Sequence, residues 1–158
     1  MIDIGAIVSD CGLYRYRLWR IWDAAKPPLP ICMLNPSTAD ASKDDPTIRR
    51  CIGFATREGF GGIIVVNLFA FRATKPEALK DAADPIGPEN LAHLQLLATS
   101  AAAGATPLLC AWGAGRDASH AKAALAAAHL VCLGRTADGS PRHPLYVKAN
   151  SPMERFTI

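Results

Sequence analysis

The chain has no Cys-x-x-Cys pair, and its cysteines (Cys11, Cys32, Cys51, Cys110 and Cys132) are odd in number, so neither a disulfide framework nor a zinc site is indicated. Cys32, Cys110 and Cys132 lie inside apolar runs and read as small buried hydrophobes of a reducing compartment. Long apolar runs are also missing. The nearest, Leu96 to Trp112, is broken by Ser100, Gly104 and Pro107, so no membrane partner is expected. The N-terminus, MIDIGAIVSD, lacks a basic region followed by a long apolar one, which argues against a secretory signal and for a cytoplasmic location. No sign of charge dominates: 17 Lys and Arg against 14 Asp and Glu leave +3, a balance that tolerates a phosphate-bearing partner without demanding one. There is no internal repeat, low-complexity tract or linker. With half of its 158 residues hydrophobic and a fifth charged, the chain reads as one domain, 1–158, able to bury its own core.

Arginine supplies most of the basic residues. Its planar fork suits phosphate and carboxylate, although an Arg- and Ala-rich genome gives the same excess. The chain centres on Ile31 to Arg50, ICMLNPSTADASKDDPTIRR. Ile31 to Leu34 has the length and apolarity of a buried strand, and Asn35-Pro36-Ser37-Thr38 breaks it. Asp40, Asp44 and Asp45 follow before Pro46 opens a helix. Ligands in open α/β sheets sit where strands end and chain crosses over, so this polar loop is a site candidate. A solvated connection whose Ser, Thr and Asp residues cap the next helix fits as well.

Upstream, Tyr14 to Trp22 alternates apolar and basic residues through Leu18, the period of a half-buried strand. Its interleaved aromatics and arginines suit either a nucleic-acid face or an edge strand protected by charge. From Pro46 to Gly59, Ile48, Cys51, Ile52, Phe54 and Ala55 recur at helical spacing, with Asp45 placed to cap and Pro46 in the first turn. Ile63 to Phe69 is apolar except for Asn67, as in a central strand covered on both faces. Glu89 to Ala103 predicts a helix ending at Gly104, Pro107 to Trp112 a strand, Asp117 to Ala128 a helix, Leu130 to Leu133 a strand, and Tyr146-Val147 a short last one. Strands alternating with helices imply α/β architecture, with a mostly parallel central sheet and helices on both sides.

Several polar residues stand out. Asn67 places an amide in an apolar run, where it needs partners. It offers a donor and an acceptor side by side, as reading a base edge requires, or it is a core amide satisfied by backbone. His143 precedes Pro144 and is held away from helical geometry; it is an acid, base or anion-stabilising candidate, or a surface histidine in a turn. His93, His120 and His129 have no metal-ligand spacing and read as structural. Asp40, Asp44 and Asp45 suit a divalent cation or a general base, and equally a helix N-terminus. Trp112-Gly113-Ala114-Gly115 follows a strand as a phosphate-cradling turn would, but lacks the Lys-Ser/Thr of a P-loop.

Three motifs together, LNPSTAD (Leu34 to Asp40), DDPTIRRC (Asp44 to Cys51) and VVNLFAFRAT (Val65 to Thr74), resemble an uncharacterised family of bacterial, archaeal and phage proteins, a domain of unknown function. DPIGPEN (Asp84 to Asn90), AWG (Ala111 to Gly113) and GSPRHPLY (Gly139 to Tyr146) match it too. More distantly, the order strand, Asn-Pro loop, apolar-NxxxxRA, apolar-Trp-Gly-helix and His-Pro loop is similar to the uracil-DNA glycosylase superfamily.

That similarity implies a three-layer α/β/α fold with an antiparallel N-terminal edge strand, and a nucleobase, nucleotide or nucleic acid as partner. It implies that Asn35 positions an attacking water with help from Asp40, that Asn67 reads the base, and that His143 steadies charge on the departing base. Pro36, Ser37, Phe69 and Trp112 join as substrate-binding candidates, and Arg72 and Arg142 as phosphate contacts. No cofactor and no resident metal are implied. The chain departs from the pattern in having no aromatic between Asn35 and Phe54, and Leu145-Tyr146-Val147 where a wedge into duplex DNA would stand. The expected function is therefore N-glycosidic bond hydrolysis. A non-catalytic nucleotide or nucleic-acid binding module, and a metal-dependent hydrolase built on Asp40, Asp44 and Asp45, are the alternatives.

Overall fold

A computed structural model describes residues Met1–Ile158. Seven strands, β1 (Asp3–Val8), β2 (Arg15–Ile21), β3 (Pro28–Met33), β4 (Gly62–Asn67), β5 (Leu108–Cys110), β6 (Leu130–Cys132) and β7 (Glu154–Arg155), form one sheet. Its order is β1-β2-β4-β3-β5-β6-β7, with helices α1 (Pro46–Arg57), α2 (Asn90–Ala103) and α3 (Lys122–Leu125) in the connections.

The protein is α/β, but the sheet is mixed, which corrects the expectation of a mostly parallel one. β4, β3, β5 and β6 run parallel, while β1 and β2 at one side and β7 at the other are antiparallel to their neighbours. The connection from β1 to β2 is short and suits an antiparallel pair, since a parallel return needs a crossover of a dozen or more residues. β2 is also not the edge: β1, unpredicted because DIGAIV shows no clean alternation, lies outside it. The Tyr146-Val147 strand is a 3-10 turn instead, Pro144–Tyr146, and the last strand is β7. The helix expected over Asp117 to Ala128 reduces to a 3-10 turn, Ser119–Ala121, followed by the single turn of α3.

β3 begins inside the proline run. Pro28 and Pro30 are tolerated because β5 pairs only from Ile31 onward, leaving the first half of β3 without a neighbour on that side. Its continuous apolarity has a direct cause. Leu29, Ile31 and Met33 pack with Ile63, Val65 and the α1 residues Ile48, Cys51 and Phe54. Cys32, with Val66, Cys110 and Cys132, instead packs with Leu94 and Leu97 of α2 and Leu125 of α3. Alternate residues of each central strand thus enter two different clusters, so both parities must be apolar. All five cysteines are free thiols, and only Cys11 is exposed. No helix is long and apolar enough to cross a membrane.

α1 starts where its sequence dictates. Asp45 is extended, and its carboxylate accepts the Ile48 N–H at 2.8 Å, with Pro46 in the first turn. The β1–β2 ladder slips between Ile7 and Val8. Across that slip Tyr16 turns toward α2, stacking on His93, while Arg15 and Arg20 both reach the Ala39–Asp40 loop beside α1.

Candidate functional site

A cleft of about 500 Å³ opens at the C-terminal ends of the parallel strands. The chain leaves β3 for α1, which packs on one cluster, and leaves β5 for α3, which packs on the other. Connections that diverge in this way open a crevice between the strands. Leu34 and Asn35 border it after β3, and Trp112 and Gly113 after β5.

The structure brings Asn35, Ser37, Asn67, Trp112, Arg142 and His143 to this one cleft. Asn35 donates from Nδ2 to the carbonyls of Pro36 and Ala73, each at 2.9 Å. Two acceptors fix the amide's orientation, so Oδ1 is the atom Asn35 can offer to a guest. Asn67 differs. It is 1% exposed, and neither its Nδ2 nor its Oδ1 has a hydrogen-bond partner. An amide buried without partners is unfavourable by a few kcal/mol, on the order of 1–3 by mutational scales, and is rare in native proteins. Its backbone is held by Asn90, the first residue of α2, whose Nδ2 donates to the carbonyls of Asn67 and Leu68 at 2.9 and 3.0 Å.

His143 has extended backbone (φ −70°, ψ 141°) before Pro144. Its Nδ1 accepts the Leu145 N–H at 3.2 Å. Burial lowers its pKa below the ordinary 6.5, and the nearby Asp45 carboxylate offsets only part of that. The ring is therefore neutral at pH 7, with its proton on Nε2 as a donor. α1 fixes this loop from outside: Arg50 donates from Nε to the Pro144 carbonyl at 3.1 Å and from Nη2 to that of Val147. Tyr146, 78% exposed, leans against His143 with ring centroids 5.6 Å apart and puts an aromatic face at the cleft mouth.

Four predicted residues do not line the cleft. Pro36 is buried and uses its carbonyl on Asn35 and on the Ala73 N–H. Phe69 packs on His120, and Arg72 donates to the Gly12 carbonyl. Asp40 closes its own loop, accepting from the N–H groups of Ser42 and Lys43, which lower its pKa. The three carboxylates of this loop therefore part company. Asp40 caps the loop, Asp44 pairs with Arg20 at 2.8 Å, and Asp45 caps α1 while also lining the cleft. The three carboxylates are not brought together, and no three His, Cys, Asp or Glu residues are grouped to hold an ion. The glycine turn does not cradle a phosphate through Gly113 or Gly115 either: their N–H groups go to the Pro141 carbonyl and to Asp138.

Sequence reasoning missed Arg15, Arg116 and Tyr146 as cleft residues, and offered Asp45 as a helix cap or as one of three metal- or base-candidate carboxylates. Arg15 is 3% exposed. Its Nη1 donates to the Ala39 carbonyl, and its Nε has no partner. Burial lowers its pKa to about 10, which still leaves it charged at pH 7. Its position in an alternating run suggested the solvent face; the bulge and the Ala39 loop reversed that.

The fold and cleft define an α/β protein with a ligand-sized crevice lined by amides, arginines and one neutral imidazole. A family model for proteins of unknown function (DUF1643) matches residues 15–145, and the chain belongs to this family. No curated protein and no solved structure matches it.

Proposed function

We propose that the cleft binds a nucleobase and hydrolyses its N-glycosidic bond, in a nucleotide or in nucleic acid. The observation that carries this reading is Asn67: a fully buried amide with both polar atoms unpaired, on the wall of a cleft of nucleotide size. A base edge presents the complementary acceptor and donor and would satisfy both atoms at once. Asn35 Oδ1 orients the attacking water. His143 donates from Nε2 to the base as negative charge develops on it, and a neutral donor suits that task because it stabilises charge without transferring a full proton. Tyr146 takes the stacking role that the Asn35 loop leaves empty. A base within a duplex would have to leave the stack to reach Asn67.

The uracil-DNA-glycosylase-like α/β/α arrangement belongs to the same reading. It is supported by α1 packing with one parity of strand residues and α2 and α3 with the other.

Incubation with uracil- and hypoxanthine-containing oligonucleotides and with free nucleotides, followed by chromatography of released base, tests the proposal. Release that is lost in Asn67→Ala and His143→Ala is expected; no release from any substrate sinks the catalytic part. One observation favours a binding module instead. The only carboxylate lining the cleft, Asp45, already has one oxygen on the Ile48 N–H, leaving water activation to a neutral amide. Saturable base binding without turnover would decide for that alternative.

A further inference from the structure

Two arginines of β2 are buried to the same degree yet treated differently by the fold. Arg20, 1% exposed, pairs with Asp44 and donates to the carbonyls of Gly5, Trp19, Asp40 and Lys43. Its charge and its donors are answered within the protein. Arg15, 3% exposed, has no carboxylate in ion-pairing range, gives one hydrogen bond to the Ala39 carbonyl and leaves Nε orphaned. A buried cation without an anion is among the least favourable arrangements a core can hold, and its persistence calls for a partner from outside the chain.

The surroundings say what that partner is. Arg15 lines the cleft, as do Arg116 and Arg142, so three guanidiniums face one carboxylate, Asp45. Asp45 adds a favourable field at Arg15 but makes its hydrogen bond to Ile48. β2 and β4 are adjacent strands, Arg15 donates its own N–H to the Ala70 carbonyl beyond the end of β4 at Asn67, and both Arg15 and Asn67 line the cleft. The unpaired guanidinium and the unpaired amide of Asn67 therefore share the inner wall. Both are almost fully buried, which favours a terminal or ring-borne oxygen over an internal phosphodiester flanked by sugars on either side.

We propose that Arg15 is the anion-recognition residue of the cleft, taking an oxyanion of a small ligand whose adjacent edge is read by Asn67. The ligand is thus a mononucleotide-sized anion, its charge carried either by a terminal phosphate or by an ionised ring oxygen of an oxo-base. This rests on the cleft being a ligand site, as proposed above.

The test is a set of calorimetric titrations and melting curves of the whole chain with inorganic phosphate, uridine monophosphate, xanthine and uncharged cytidine, repeated on Arg15→Gln. The expected result is that the parent binds at least one anionic probe more tightly than cytidine, that Arg15→Gln weakens it about tenfold or more, and that Arg15→Gln melts no lower than the parent without ligand. Binding of phosphate and uridine monophosphate identifies a phosphate as the charge, and binding of xanthine alone identifies the ring oxygen. Three results would overturn the proposal: no anionic probe favoured over cytidine by the parent, equal affinities in parent and Arg15→Gln, or a drop of several degrees in Arg15→Gln without ligand, which would mark the residue as structural. If bases bind parent and variant equally, the nucleobase reading stands and Arg15 has no part in it. If phosphate alone binds and the variant loses it, the anion site stands and the nucleobase reading falls.

Discussion

The side-chain amide of Asn90 donates to the main-chain carbonyl of Asn67 at 2.9 Å, and so the first residue of α2 sets where β4 ends. The same amide group reaches Leu68, so both carbonyls at the strand terminus are held by one side chain that is completely buried. Asn67 is thereby clamped through its backbone while its own amide is left unpaired. Rigid support around an unsatisfied group is the arrangement expected of a preorganised binding residue.

Asn90→Ala removes both bonds; the Leu68 carbonyl keeps the His120 ring N–H at 2.8 Å, while the Asn67 carbonyl loses its Asn90 donor. Urea denaturation should show a loss of about 2–3 kcal/mol, on the scale of buried polar groups stripped of a partner. Ligand affinity should fall with it. A variant as stable as the parent would mean that the clamp contributes nothing.

Asn67→Leu is expected to act in the opposite direction. Replacing an unsatisfied buried amide with an apolar side chain of similar size should leave stability unchanged or raise it by about 1 kcal/mol. Base binding should disappear in the same variant. A large loss of stability would instead reveal that the amide has a partner within the folded chain.

Arg20 and Asp44 tie the loop after β3 to the sheet. Asp44→Ala strands a guanidinium that is 2% exposed, and chemical denaturation should show a loss of about 3 kcal/mol. The melting transition should also become less sensitive to salt than a surface ion pair would make it.

Arg50→Ala should act on the His143 loop rather than on the core. With the Pro144 and Val147 carbonyls released, hydrogen exchange at the Leu145 and Tyr146 amides should accelerate, at a stability loss of about 1 kcal/mol. Turnover, if present, should fall more than substrate affinity, because His143 acts on charge that develops only during reaction.

The pH dependence has a fixed sign. His93 and His143 both have pKa values lowered chiefly by burial, so the unfolded chain takes up protons before the folded one as pH falls. Stability should be complete above about pH 7 and should fall as pH drops through the ordinary histidine value of 6.5 toward the lower folded values. Melting temperatures from pH 8 to pH 5 will read this, and the decline should shrink in His143→Gln.

Much of the architecture was legible along the chain. β3 and β4 declared themselves as apolar runs because both parities of their residues are buried, and α1 announced its start through Asp45 and Pro46. β1 escaped because its only fully buried residue is Gly5, which lies against Trp19, so no hydrophobic alternation marks it. α3 was overextended because an alanine-rich run has helical propensity at every position, and propensity does not set where a connection must turn back into a strand.

The amino-acid order by itself determined the α/β class, the central strands, α1 and α2, and the polar loops that follow the strands, because hydrophobic spacing and capping act over a few residues. Tertiary structure alone decided which polar groups meet. It separated Asp40, Asp44 and Asp45 into three unrelated tasks, turned Arg15 inward across a slipped ladder, and gathered Asn35, Asn67 and His143 around one cleft. Burial of a polar side chain depends on what distant chain folds over it, and no local spacing encodes that.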